Sequence, residues 1–299
     1  MNERRDIGDT MVFASACQAG LRYGSARWGF RDSFCHALLA VLFLAACGSA
    51  QATELVRVGG AHFPPYVIKP ESAEATGLLP ELLAALNGQQ HEFEFVMLPT
   101  AIPRRFRDFQ AGRIDMAVFE NPDWGWQDIP GARIDMGLED AEVFVAQRRV
   151  SRDQEYFRTL VDKRLALYSG YHYGFAGFDA DPEYLTREFN ALMTYSHDSN
   201  LLMVLRGRAD IALVTRSYLG MYLEKNPDQA GQFLVSTRVD QHYRHYALLR
   251  PGAPISPERF TALLEQLRAK GDLQRIFGRY QIQVSPASLD SSALPDGRD

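Results

Sequence analysis

The chain has 299 residues, 46% hydrophobic and 23% charged, with a formal charge of -5 at neutral pH. That length and apolar content suit one large globular domain or two smaller ones with cores of their own, and they exclude a disordered chain. Acidic and basic residues are interspersed, so no basic stripe follows a phosphate backbone and nucleic acid is excluded as the expected partner.

The stretch "RDSFCHALLAVLFLAACGSAQA", Arg31 to Ala52, is an arginine-flanked apolar run followed by small residues. It is too short for a membrane span and has the shape of a secretory signal, so residues 1–52 read as a leader and the remainder as exported to the periplasm. Two processing readings stand. Leu44 to Cys47 looks like a lipobox, in which Cys47 would be lipidated, whereas Ala50-Gln51-Ala52 looks like an ordinary cleavage site ahead of Thr53. All three cysteines (Cys17, Cys35, Cys47) lie in this leader, so a chain beginning at Thr53 would have no disulfide and would rest on its core.

From Leu55 onward, short apolar runs alternate with amphipathic stretches, the order expected of an α/β fold. "LVRVGG" is a predicted strand. "GLLPELLAALNG" then puts Leu79, Leu82, Leu83 and Leu86 on one helical face, with Pro80 in the first turn and Gly88 as the expected stop. "HEFEFVML" alternates as a strand, "AIPRRFRDFQAG" carries the stripe Ile102, Phe106, Phe109, and "RIDMAVF" reads as the third strand. The same order returns in residues 164–214, where "RLALYSG", "DPEYLTREFN", "ALMTYSH", "DSNLLMVLRG" and "RADIALV" read as strand, helix, strand, helix, strand. Thus "GRIDMAVF" and "GRADIALV" mark the same step, a helix stopped by glycine and followed by a buried strand, in two similar blocks. "FLVS" and "YRHYALLR" are further strands, residues 256–280 a closing helical pair, and the small polar residues 284–299 a disordered tail. No later apolar stretch has the length of a membrane helix.

Taken in order, "VRVGGAHFPPYVIKPESAEATGLLPELLAAL", "IPRRFRDFQAGRIDMAVF", "LVDKRLALYSGYHYGF", "LLMVLRGRADIALV" and "LLEQLRAKGDLQRIFGRY" resemble the bacterial extracellular solute-binding proteins of family 3, which include the amino-acid-binding components of ABC transporters. The resemblance implies an α/β, type 2 periplasmic-binding-protein clamshell of two lobes joined by two hinge crossings. Residues 53–146 would start the first lobe, 147–242 form the second, and 243–283 return to the first. It further implies a monomer without cofactor or metal that captures a small molecule between its lobes, closes by the hinge motion that such proteins exemplify, and delivers it to an ABC-type permease. Two alternatives stay open: a ligand-sensing partner of a membrane receptor, and an enzyme similar to cyclohexadienyl dehydratase on the same fold.

In open α/β sheets the ligand crevice lies beyond the carboxyl ends of the strands, where helix N-termini can offer N–H groups to an anion. Those loops hold Phe63 and Tyr66, then Glu120, Asn121 and Trp124, then Ser169 and Tyr171, and finally His197 and Thr215. Arg104 falls where relatives carry an arginine facing the cleft. Amino-acid-binding relatives also place Thr-x-x-Arg after the third strand, to grip an α-carboxylate, and an aspartate for the α-ammonium after the closing strand of the second lobe. Asn121 and Trp124 stand at the first of these motifs and Thr215 at the second, so an aromatic, amide-bearing or cationic ligand is expected in preference to an unmodified α-amino acid, with Glu120 as counter-charge.

Overall fold

The computed structural model describes residues 52–286. The leader, with Cys47 and both processing sites, and the segment from 287 to 299 lie outside the described residues.

The first block runs β1 (Glu54–Ala61), α1 (Leu78–Gln89), β2 (Phe93–Thr100), α2 (Arg105–Gln110), β3 (Met116–Glu120), and the long strand β4 (Ala132–Gln147) follows it. The second runs β5 (Leu165–Tyr168), α3 (Pro182–Phe189), β6 (Ala191–Thr194), α4 (His197–Leu205), β7 (Ile211–Thr215), then α5 (Arg216–Lys225) and the second long strand β8 (Phe233–Leu249). The segment closes with α6 (Pro257–Ala269), α7 (Asp272–Phe277) and β9 (Gln283–Val284).

The strands join in the order β2-β1-β3-β8-β4-β7-β5-β6, with β9 on β4. β1 is parallel to β2 and β3, and β5 is parallel to β6 and β7. The long strands tie these half-sheets together: β3 lies antiparallel on the C-terminal end of β8, β7 lies antiparallel on the C-terminal half of β4, and β4 and β8 pair with each other. Each long strand therefore leaves one half-sheet and finishes in the other. The two copies of the repeated motif are the lead-ins to β3 and β7, which hold equivalent places.

Each half has its own apolar core. Leu79, Leu82 and Leu86 of α1 pack with Phe260, Leu263 and Leu267 of α6 and Phe277 of α7, so the chain's end returns to the first block. Leu201, Val204, Tyr218 and Tyr222 form a smaller core in the second block. Between them lies an aromatic cluster that both blocks supply, including Phe109, Trp124 and Trp126 from the first and Tyr168, Tyr171 and Tyr173 from the second.

Several expectations are corrected. α1 passes through Gly88 to Gln89. The stripe at 101–112 is helical only from Arg105 to Gln110. α4 begins at His197, capped by Ser196, whose Oγ accepts the Ser199 N–H at 3.2 Å. "FLVS" and "YRHYALLR" are one strand, and residues 132–147 and 216–225 form a strand and a helix that the periodicity did not separate. Val284 is held in β9 against Leu138, and the Ser285 N–H bonds to the Gly137 carbonyl at 2.8 Å.

Candidate functional site

A cavity opens where the two half-sheets meet. Its walls include Phe63, Tyr66, Arg105, Phe119, Glu120 and Trp124 from the first block, Tyr171 and His172 from the second, and Tyr243 and His245 from β8. The loop after β1 brings in Phe63 and Tyr66. The N–H groups of Leu78 and Leu79, at the start of α1, bond back to the carbonyls of Pro65 and Tyr66 at 3.1 and 2.8 Å, pinning that loop to the helix end. The same bonds occupy the first two N–H donors of α1, which are thus not free for an anion.

Phe63 reaches across to the second block. Its ring lies flat against Tyr171, with centroids 5.3 Å apart and planes at 2°, and meets Tyr168 and His197 edge-on at 5.2 and 5.0 Å. The Tyr168 hydroxyl donates to the His62 carbonyl at 3.1 Å beside this stack. Trp124 packs against Tyr171 and Tyr243 at 5.5 and 4.9 Å, and its indole N–H bonds to Gln241 at 3.2 Å. Aromatic rings thus form a large share of the wall, beside aliphatic residues such as Val67, Leu79 and Ile114, and such rings gain from offset or edge contacts.

Two sets of polar groups on the wall are engaged internally. Arg105 Nε lies 2.7 Å from Glu120 Oε1, both side chains being buried, and the Trp126 indole donates to Glu120 Oε2 at 2.8 Å. Glu120 follows Phe119, whose φ of 61° is strained for a non-glycine residue. The register of β3 on β8 shifts between Ala117 and Glu120, and both Phe119 and Glu120 face the cavity as a result.

Beside Phe119, the Tyr66 hydroxyl lies 2.7 Å from Asp140 Oδ2 and 2.8 Å from His245 Nε2. One phenolic proton serves both neighbours when Tyr66 donates to Asp140 and accepts from His245 Nε2–H. Burial, with the Asp140 charge added, pushes the Tyr66 phenol well up, and burial also raises Asp140. Burial lowers His245 to about 4, leaving a neutral imidazole at neutral pH.

Of the residues expected from sequence, Phe63, Tyr66, Glu120, Trp124 and Tyr171 come together on the cavity wall. The others lie elsewhere. Arg104 is exposed and pairs with Asp108 at 3.3 Å, while its neighbour Arg105 turns inward, because adjacent helical positions point about 100° apart. Asn121 makes a turn, accepting the Asp123 N–H at 2.9 Å and donating to the Arg244 carbonyl at 3.2 Å. Ser169 is buried and pairs through its backbone with Thr194 at 2.7 Å. His197 is packed among Phe63, Tyr168 and Tyr218 with neither ring nitrogen hydrogen-bonded. Thr215 caps α5, its Oγ1 accepting the Tyr218 N–H at 3.1 Å. Glu120 is no free counter-charge, since Arg105 and Trp126 hold it.

Sequence reasoning missed Arg105, Phe119, Tyr243, His245 and the polar pair Asp140 and Glu142. The last four stand at alternate positions of β4 and β8, a period of two that marks one face of a strand. Reading 132–147 and 233–249 as strands would have brought them to one surface.

No family model and no curated protein matches the sequence. Solved structures do resemble it. An ancestral amino-acid-binding protein described as a precursor of cyclohexadienyl dehydratase aligns with a TM-score of 0.56 at 17% identity, over 76% of this chain and 94% of its own. The substrate-binding protein of an amino acid ABC transporter aligns at 0.55 and 13% identity, over 76% and 98%. A histidine kinase sensor domain with similarity to periplasmic binding proteins aligns at 0.58 and 18%, over 79% and 99%. At such identities the likeness shows the fold, and the fold is that of the type 2 periplasmic binding proteins. Among the described residues, no helix is long and apolar enough to cross a membrane.

Proposed function

We propose that this protein is an extracytoplasmic solute-binding protein that captures a small molecule between its two lobes and hands it to a membrane partner, an ABC-type permease. The observation that carries the reading is the cavity at the junction of the half-sheets, walled by aromatic side chains from both blocks. A ligand ring entering there would replace one face of the Phe63–Tyr171 stack, so closure and binding would be one event. β4 and β8 are the two crossings, with the changes of lobe near Ala146 and Tyr243. The ligand is aromatic, amide-bearing or cationic, because the cavity's arginine is already paired with Glu120. A neighbour that serves an ABC transporter and another that is a kinase sensor domain support a capture role while leaving transport and sensing as two uses of one clamshell.

A second reading has an observation behind it. Tyr66, Asp140 and His245 form a hydrogen-bonded set beside the cavity, the kind of acid–base group that proton transfer requires. One of the neighbours is described as the precursor of a dehydratase.

Thermal unfolding with millimolar aromatic acids, amides, amines, amino acids and prephenate tests both readings, with product analysis of any compound that acts. A ligand at a hundred times its dissociation constant adds about 2.7 kcal/mol, a rise in midpoint of roughly 5 to 10 °C for a domain of this size. A saturable shift without turnover is the expected result. Turnover of the stabilising compound would favour the enzyme, and no shift with any class would count against the binding role.

A further inference from the structure

Two carboxyl groups, Asp140 and Glu142, are buried where β4 pairs with β8, Asp140 bonded to the cavity residue Tyr66, and Asp240 lies half-buried beside them. Two of the three are satisfied. Asp140 accepts from the Tyr66 hydroxyl at 2.7 Å and the Ala141 N–H at 2.7 Å, while Asp240 accepts the N–H groups of Gly174 and Phe175 at 2.6 and 2.8 Å. Glu142 is fully buried, and neither of its carboxylate oxygens has a hydrogen-bond partner. Among the described residues, no lysine, arginine or histidine forms an ion pair with it.

A buried carboxyl with both oxygens unpaired is costly to keep, and it calls for a partner. Its surroundings say which. Alternation along β4 puts Glu142 on the face of Asp140 and Phe144, which is the face of the shared aromatic cluster, while Val143 and Val145 turn to the second block's core. Glu142 stands opposite Gln241, which holds Trp124. Tyr171 links Glu142 to the cavity, since its ring lines the wall while its buried hydroxyl, itself without a bonded partner, lies near the Glu142 carboxyl. Burial, with Asp240 and Asp140 adding repulsion, pushes the Glu142 carboxyl well up, and a cation is what would reverse that push. The described residues contain no group of three or more side chains fit for a metal, whereas Trp124, Tyr171 and Tyr243 present ring faces suited to an organic cation. A carboxylate on the ligand would find Arg105 already taken by Glu120.

We propose that Glu142 anchors the cationic group of the ligand, an ammonium or guanidinium on an organic cation that carries no carboxylate, with Trp124, Tyr171 and Tyr243 as the surrounding rings. This rests on the solute-binding reading and names its substrate class.

Calorimetric titration of the full chain with 2-phenylethylamine and agmatine, beside neutral 2-phenylethanol and zwitterionic phenylalanine and arginine, tests it in wild type, Glu142→Gln and Glu142→Asp. At least one amine should bind about 30-fold or more tighter than the uncharged and zwitterionic compounds, and Glu142→Gln should weaken it by about 100-fold. Glu142→Asp, which keeps the charge, should recover part of the loss. Equal binding of neutral or zwitterionic compounds, or amine binding unchanged in Glu142→Gln, overturns the cation subsite and leaves the solute-binding reading standing. Binding of no compound at all overturns both.

Discussion

Asp115 and Asp210 explain why the chain writes Gly-Arg-x-Asp twice. Asp115 accepts from Arg57 through Nε and Nη2, both at 2.7 Å, and through the backbone N–H at 3.0 Å, and Asp210 takes the same three donors from Arg164 at 2.9, 3.1 and 2.9 Å. Each aspartate thus locks the closing strand of its block to the opening one. The first is the tighter, its side chain fully buried with a further bond from Arg250 at 2.6 Å. Burial alone would raise Asp115, but the bonds from Arg57 and Arg250 outweigh it and hold the carboxyl at about 2, against an ordinary 3.8. A depressed pKa of this kind stabilises the fold in full above pH 3.8 and is lost as pH falls towards about 2. Asp115→Asn should therefore cost about 3 kcal/mol at neutral pH, lowering the melting midpoint by roughly 6 to 12 °C, and its stability should vary less than wild type's across that acid window. His197 has the opposite chemistry. Burial first, and the nearby His62 second, lower it from 6.5 to about 3, so the unfolded chain takes up the proton first and stability falls as pH drops from 6.5 to about 3. His197→Phe, which keeps the ring among Phe63, Tyr168 and Tyr218, should fold and flatten that part of the stability profile in pH-dependent denaturation. The sequence displayed the repeated aspartates but not their partners, because a pairing 58 or 46 residues away is a property of the fold.

At the scale of elements, strong periodicity was legible and long crossing strands were not. The leucine face of α1 and the short buried strands β3, β5 and β7 have one environment from end to end, so their pattern is regular. β4 has three. It runs from the first core, past the buried carboxyls of Asp140 and Glu142, into the second block, and its register on β8 slips near both Gly137 and Val143. Such slips break the period of two and bend a strand, which places them where a hinge would flex. The loop after β1 depends on one glycine. Gly77 has φ 114°, and a Cβ there would lie 2.7 Å from the Pro65 carbonyl oxygen and 2.8 Å from that of Tyr66. Gly77→Ala should cost about 2 to 4 kcal/mol, seen as a lower denaturation midpoint at unchanged slope, and should weaken ligand binding by displacing Phe63 and Tyr66 from the wall.

The described residues join two similar half-sheets through two strands, with a cavity rich in aromatic rings at the junction and, buried on β4, a carboxyl at Glu142 that has no hydrogen-bond partner. The fold was readable because the element order repeats. The site was readable where strand ends pointed to it, as for Phe63, Trp124 and Tyr171, and unreadable where it depended on β4 and β8 lying side by side. The most direct test of the central claim is calorimetric titration of wild type and Trp124→Ala with whichever compound raises the melting midpoint. The account predicts one saturable site per chain in wild type and binding weakened by about 10- to 100-fold in the variant, the usual worth of a buried aromatic contact. Equal affinity in the two proteins, or heat without saturation, would contradict the claim that the ligand sits in this cavity.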